Sequence, residues 1–183
     1  MQTSLRLISP DDAGRLAELQ SVDREILSRW EPERAPGYFT PTGQLELITN
    51  LLTQCDQGVC RPWVIESGGE LIGRLTMRSI AGVPVHKATI GYWVASSYAG
   101  RGHASRAVAE CLLIARRELR LHRIEASTQI ANEASQRVLR RNGFTLMGVA
   151  HDHIFTAGRW HDELLWERQL GTAADESTGG ADR

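Results

Sequence analysis

Apolar residues along this chain switch between a period of two and a period of 3.6, and each switch marks a predicted element. Leu5 to Ile8 read as a short first strand. Ser9-Pro10-Asp11-Asp12 then supplies a capping serine, a first-turn proline and two acids, the signature of a helix start. That helix carries Leu16, Leu19 and Ile26-Leu27. Residues 31–42 read as a loop, because Pro32, Pro36 and Pro41 with Gly37 interrupt any regular ladder. A second helix follows from Leu45 to about Gln54. Trp63-Val64-Ile65 and Leu71 to Ile80 form two strands joined through Ser67-Gly68-Gly69-Glu70, a hairpin. Thr89 to Val94 is another strand. After it, Ala104, Val108, Cys111, Leu112, Ala115 and Leu119 fall on one helical face. Ile124 to Ile130 form a strand, and Asn132 opens a short helix that Gly143 ends. Phe144 to Phe155 and Trp160 to Leu170 make a last antiparallel pair turning at Ala157-Gly158. The pattern predicts one α+β domain over residues 1–170, a twisted, mixed and mostly antiparallel sheet flanked by helices. Residues 171–183, small and polar, are predicted to be a disordered tail.

Composition narrows the setting. A chain of 183 residues with 42% hydrophobic residues can bury a core of ordinary size. The net charge of −1 gives no reason to expect nucleic acid or an anionic membrane as a partner. No apolar run approaches a membrane span, and MQTSLRLISPDD lacks the apolar stretch of a signal peptide. Cys55, Cys60 and Cys111 are irregularly spaced, with Cys111 on a helical apolar stripe, so a reduced cytoplasmic protein is the simplest expectation. Trp63, Trp93, Trp160 and Trp166 are expected to pack in the core or on the sheet.

The chemistry concentrates in residues 98–108, YAGRGHASRAV, where a strand runs through a glycine-rich turn straight into a helix. Such a turn leaves a row of backbone N–H groups unpaired at the positive end of the helix, a cradle for phosphate or pyrophosphate. Glycine suits it because a side chain would block the anion or strain the backbone. No lysine follows these glycines, which excludes a Walker loop, and Ser105 stands where a dinucleotide fingerprint needs its third glycine.

About thirty residues on comes ANEASQRVLRRNGF, a helix that ends at Asn142-Gly143 and leads into a strand. The ordered set IGYWV, GRGHA, HRIEA and NEASQRVLRRNGF resembles the GNAT N-acetyltransferase family, and within it the RimJ/RimL subfamily that acetylates protein N-termini. The resemblance runs from about Leu5 to Leu170 and is strongest over residues 90–148. It implies a splayed central strand and acetyl-CoA as cofactor. The pyrophosphate would rest on the amides of Gly100, Arg101, Gly102, His103, Ala104 and Ser105, and the pantetheine arm along Trp93, Val94 and Ala95. An oxyanion donor is implied at the amide of Val94 or a neighbour. Asn132 would bond the pantetheine arm, and Ser135 would protonate the thiolate of CoA after direct attack through a tetrahedral intermediate. Both residues also suit a bland role, Asn132 as helix cap and Ser135 as the residue it caps. Some relatives use a tyrosine acid on this helix, but its slot, four before Gly143, is Leu139.

Two positions depart from the family's pattern. Ala99 stands where a Gln or Arg usually heads the phosphate motif, and Ile154 fills the slot of the glutamate that acts as base. Glu125 is the first candidate to replace that base, with an ion pair to Arg123 or Arg78 as its structural alternative. Glu31, Asp152 and His153 are further candidates; Glu31 follows Trp30 at the edge of the irregular loop, where it could bind an incoming ammonium. His151 and His153 with His161-Asp162 admit a metal, although surface or substrate-facing polar roles are simpler, and no metal is assigned. A missing base matters less for an α-amine, of pKa about 7.7–8.0, than for lysine, because about a third of it is neutral at pH 7.5.

Three functions follow from the resemblance. They are acetylation of a protein N-terminus, ribosomal proteins being the typical acceptors; the same reaction on a small amine such as an antibiotic, amino acid or polyamine; and an acyl-CoA-binding module with little catalysis. The C-terminal strand pair offers an edge through which two copies could form a homodimer.

Overall fold

In the computed structural model, which describes residues 2–171, seven strands form one sheet in the order β1-β2-β3-β4-β5-β7-β6. β1 (Thr3–Leu7), β2 (Cys60–Ser67), β3 (Glu70–Ala81) and β4 (Lys87–Val94) are antiparallel neighbours. β5 (Arg123–Gln129) runs parallel to β4, and the hairpin of β6 (Thr145–Thr156) and β7 (Arg159–Gln169) completes the sheet, with β7 against β5. The α+β expectation holds, and every predicted strand is present within a few residues of its expected ends.

Two helical layers cover the sheet. On one face α4 (His103–Arg117) and α5 (Glu133–Arg141) bury Ile65, Leu75, Met77, Ile90, Ile124 and Leu139. On the other face α1 (Ala13–Val22) and α3 (Pro41–Asp56) close over Val64, Leu71 and Trp93 with Leu16, Leu19 and Ile48. Each such aliphatic side chain contributes about 1.5–3 kcal/mol on burial, so both layers are held mainly by apolar contact. Cys111 lies inside the α4 layer, where burial pushes its thiol up to about 12. It is therefore a packing residue and not a nucleophile.

The helix expected to run from Ala13 through Leu27 is broken at Asp23, leaving a separate turn, α2 (Arg24–Leu27). The cause lies far along the chain. Asp23 accepts hydrogen bonds from the Ser96 amide at 2.6 Å and the Ser96 hydroxyl at 2.5 Å, and it adopts non-helical φ −92°, ψ 10°. The start of α1 follows its sequence signature: Ser9 accepts from the Asp11 amide while the Asp12 carboxylate accepts from the Ser9 amide, a capping box. The predicted loop holds a 3-10 turn over Pro36–Phe39, and α3 starts at Pro41 and not at Leu45, with the Thr40 side chain capping it. Trp63, Trp93 and Trp166 are buried, and Trp160, 58% exposed near the tip of the last hairpin, packs on the sheet edge-on against its cross-strand partner Phe155. Of the tail predicted over 171–183, residues 172–183 lie outside the described residues.

Candidate active site

β4 and β5 pair only through Lys87↔Arg123, Ala88↔Ile124 and Thr89↔Glu125. Beyond Thr89 they diverge, because β4 stays with β3 as far as Val94 while β5 follows β7 to Gln129. The resulting wedge opens into a cavity of about 930 Å³ lined by both strands, the glycine loop, α5 and the segment around Trp30. Successive amides along a strand point to opposite edges. The Ala95 amide donates to the Ile72 carbonyl on β3 at 2.8 Å, so the Val94 N–H points the other way, into the wedge. Ala95 itself is therefore occupied and buried, and only Trp93 and Val94 of that trio line the cavity.

At one end of the wedge the chain leaves β4 through a 3-10 turn, Ser96–Tyr98, which Asp23 anchors, and enters the glycine loop. Gly100 (φ 74°) and Gly102 (φ 79°) both take left-handed backbone, the conformation that glycine adopts without strain. Gly102 caps α4, and no side chain bonds the first amides of that helix. The amides of His103, Ala104 and Ser105 thus stand free for an anion at the positive end of a 15-residue helix. The side chains around them are already engaged. Arg106 donates to the Arg101 carbonyl at 2.8 Å and the Thr3 hydroxyl at 2.9 Å, His103 Nδ1 lies 2.9 Å from that hydroxyl, and the Ser105 hydroxyl accepts from Asn142. Burial, then Arg106 and Arg101, hold the His103 imidazole below its ordinary value, so it is neutral here. The Arg101 side chain faces the Tyr98 ring and does not line the cavity.

On the α5 wall, Asn132 caps the helix by accepting from the Ser135 amide at 3.1 Å, as its position suggested. The Ser135 hydroxyl lies 2.9 Å from the Tyr92 phenol. Burial pushes that phenol up to about 12, with the Ser135 hydrogen bond opposing, so Tyr92 is a protonated partner. Sequence reasoning sought a tyrosine on this helix and found Leu139, which is fully buried; a phenol reaches the same helix from β4 instead. Only the strand alternation that sends Ile90, Tyr92 and Val94 to the α4–α5 face could have indicated it.

The opposite wall carries charge. Glu125 accepts from Lys87 at 2.9 and 3.2 Å and stands 3.7 Å from Arg123, so its ion-pair alternative is realised, chiefly with the lysine and not with Arg78. Glu31 lines the cavity 3.6 Å from Arg34. Ile154 lines it as well, while Asp152 is exposed outside it at φ 48°. His153 does enter, and its Nδ1 lies 2.7 Å from a carboxylate that sequence reasoning missed, Glu163 on β7, which is 7% exposed. His151 pairs with Asp162 at 2.9 Å on the outside of the hairpin. Among the described residues no group of three metal-ligating side chains is assembled.

This architecture is shared with known proteins. The chain is similar to the [ribosomal protein uS5]-alanine N-acetyltransferase of Escherichia coli, 28% identical over 167 residues that cover 88% of this chain and 84% of that one. The structure of Mycobacterium smegmatis RimJ in complex with CoA-disulfide superposes with a TM-score of 0.89 at 32% identity, covering 94% of this chain and 83% of that chain. The ribosomal-protein-S5-alanine acetyltransferase of Vibrio fischeri gives 0.88 at 29% identity, covering 93% and 94%. The acetyltransferase (GNAT) domain family matches residues 3–145. With the wedge between β4 and β5, the free first amides of α4 and the family match in agreement, the chain belongs to the GNAT acetyltransferases and is an acyltransferase.

Proposed function

We propose that this enzyme transfers an acetyl group from acetyl-CoA to a primary amine, and that its acceptor is the α-amine at the N-terminus of a protein. The observation that carries the reading is the wedge itself, with a free amide nest at one end, the Val94 N–H inside it and a charged mouth at the other. The residues fit CoA: Gly100 and Gly102 leave room for a pyrophosphate against the α4 amides, and Trp93, Val94 and Asn132 line the path of the pantetheine arm. Acetyl-CoA supplies the activated thioester. The Val94 N–H is directed where negative charge develops, the kind of preorganised donor that contributes most to acyl transfer. Ser135, backed by the protonated Tyr92, donates the proton that a departing thiolate needs. On the acceptor side, the His153–Glu163 pair takes the place of the glutamate absent at Ile154, His153 receiving the amine's proton and Glu163 stabilising the resulting charge. Glu125 and Glu31 line the same cavity, each paired with a cation, Lys87 and Arg34. The names of the Escherichia coli and Vibrio fischeri relatives specify a ribosomal-protein alanine, which favours a protein N-terminus over a small amine.

The test is acetyl transfer to peptides with free Ala or Ser N-termini, to Nα-blocked peptides with an internal lysine, and to a panel of small amines, read by mass spectrometry. Selective modification of free peptide N-termini is expected. Modification of small amines alone would move the enzyme to the second function, and none at all, with tight acetyl-CoA binding, to a binding module.

A further inference from the structure

Arg74 sits in the middle of β3, 6% exposed, and faces the cavity. Its flanking residues Gly73 and Leu75 turn away, whereas Thr76 and Arg78, on the same strand face, line the cavity with it. Among the described residues no carboxylate pairs with its guanidinium, and Nη1 has no hydrogen-bond partner. Directly opposite in the β3–β4 ladder is Trp93, whose buried indole Nε1 is also unpartnered. A buried cation without a counter-ion costs several kcal/mol, more than a fold retains without a use for it. The cavity's own carboxylates do not answer it: Glu31 is matched by Arg34, Glu125 by Lys87 and Glu163 by His153.

The anion that fits comes from outside. The pyrophosphate is not that anion, because the glycine nest belongs to α4 on one sheet face, while Arg74 and Trp93 lie on the face packed by α1 and α3. An arginine fork with an adjacent indole N–H presents donors suited to the two oxygens of a carboxylate. We propose that Arg74 and Trp93 form a subsite for a carboxylate carried by the acceptor, so that this enzyme selects amines with an acidic group a few bonds from the nitrogen. Such a group is either an Asp or Glu side chain just behind a polypeptide's α-amine or the α-carboxylate of a free amino acid. Arg78, exposed on the same strand face, extends the positive surface toward the mouth. The inference rests on the amine-acetylation reading above and names the acceptor it prefers.

Twin peptides that differ only in Glu or Gln at position 2, with free glutamate alongside, test it by kcat/KM for acetyl transfer and by calorimetric affinity for the CoA-loaded protein. The Glu peptide is expected to exceed its Gln twin at least tenfold in both readings. That ratio should fall below threefold in Arg74→Met and recover in part in Arg74→Lys, which also guards against a merely unfolded variant. A higher kcat/KM for free glutamate than for either peptide assigns the same subsite to a small acceptor. Equal handling of the twins by the native enzyme, or a preference that survives Arg74→Met, overturns the subsite while leaving acetyl transfer intact. If neither peptide is acetylated, Arg74-dependent binding of the Glu twin upholds the subsite and removes the polypeptide α-amine as acceptor, and equal or absent binding overturns the subsite.

Discussion

Gly73 lies on β3 opposite Val94, which lines the wedge, and replacing it with alanine tests how tightly β3 holds β4 there. A Cβ at this position would lie 2.3 Å from the Trp93 carbonyl oxygen and 2.9 Å from the Val94 Cα, both backbone atoms that no rotamer change can move. Ordinary contact requires the two strands to part by about 1 Å, and overpacking of that kind costs ~1–3 kcal/mol. The Ala95-to-Ile72 hydrogen bond lies next to this pair and would be stretched, adding about 1 kcal/mol. A total of ~2–4 kcal/mol corresponds to a fall of roughly 5–15 °C in Tm for a domain of this size. Gly91→Ala is the matched control on β4: nothing lies within 4 Å of its added Cβ and its φ is ordinary. The assay is thermal and urea unfolding of both variants, with calorimetric titration of CoA. Gly73→Ala should be destabilised by the stated amount and bind CoA more weakly, because the Val94 N–H moves with the strand, whereas Gly91→Ala should stay within about 0.5 kcal/mol of the parent. A Gly73→Ala protein as stable as the control would refute the reasoning that backbone approach at this pair sets the wedge.

Other perturbations reach separate parts of the site. Ser135→Ala preserves the Asn132 cap, which uses only the backbone amide, and should lower kcat at least tenfold (about 1.4 kcal/mol of barrier) with little change in acetyl-CoA affinity; an unchanged kcat would reduce Ser135 to a helix-start residue. Gly102→Val forces a β-branched side chain into φ 79° and crowds Arg106 at 3.2 Å, so CoA affinity should drop sharply by calorimetry, and intact affinity would displace the pyrophosphate from the nest. Because burial depresses His103 below its ordinary 6.5, the unfolded chain takes up that proton first. This contribution to stability is complete above pH 6.5 and is lost as pH falls from there through the folded value. Urea unfolding between pH 7.5 and 5 should show a shallower acid-side loss in His103→Gln, and parallel curves for the two proteins would exclude His103 as the cause.

What could be read from the chain was whatever chemistry is local. The glycine loop is shaped by its own backbone and the helix that follows within a few residues, so Gly100, Gly102 and α4 announce it in order. The Asn132 cap is equally local. The active-site partners that escaped are set by contacts between distant segments. Tyr92 meets Ser135 43 positions away, and in the sequence it is one aromatic among several in a strand. Arg74 and Glu163 look like the solvent-facing half of an alternating strand, yet both are buried, Arg74 beside Trp93 on the cavity wall and Glu163 against His153. Asp23 reads as helix interior until Ser96, 73 residues on, draws its carboxylate away and ends the helix. Each miss has the same origin: a polar residue's environment was decided by a segment elsewhere in the chain.

Where β4 and β5 part, the sheet acquires two edges in its own interior, a place where most sheets have none. Unpaired strand edges attract other extended chains, and here both edges line the cavity. A guest that supplies hydrogen-bonding groups along that gap takes the part of the missing neighbour and repairs the ladder. Folding and occupancy are then one equilibrium: at a free ligand concentration a hundredfold above Kd the folded state gains about 2.7 kcal/mol. Heat resistance and resistance to proteolysis would therefore rise and fall with ligand supply, making the lifetime of the protein itself a gauge of how much thioester is available to it.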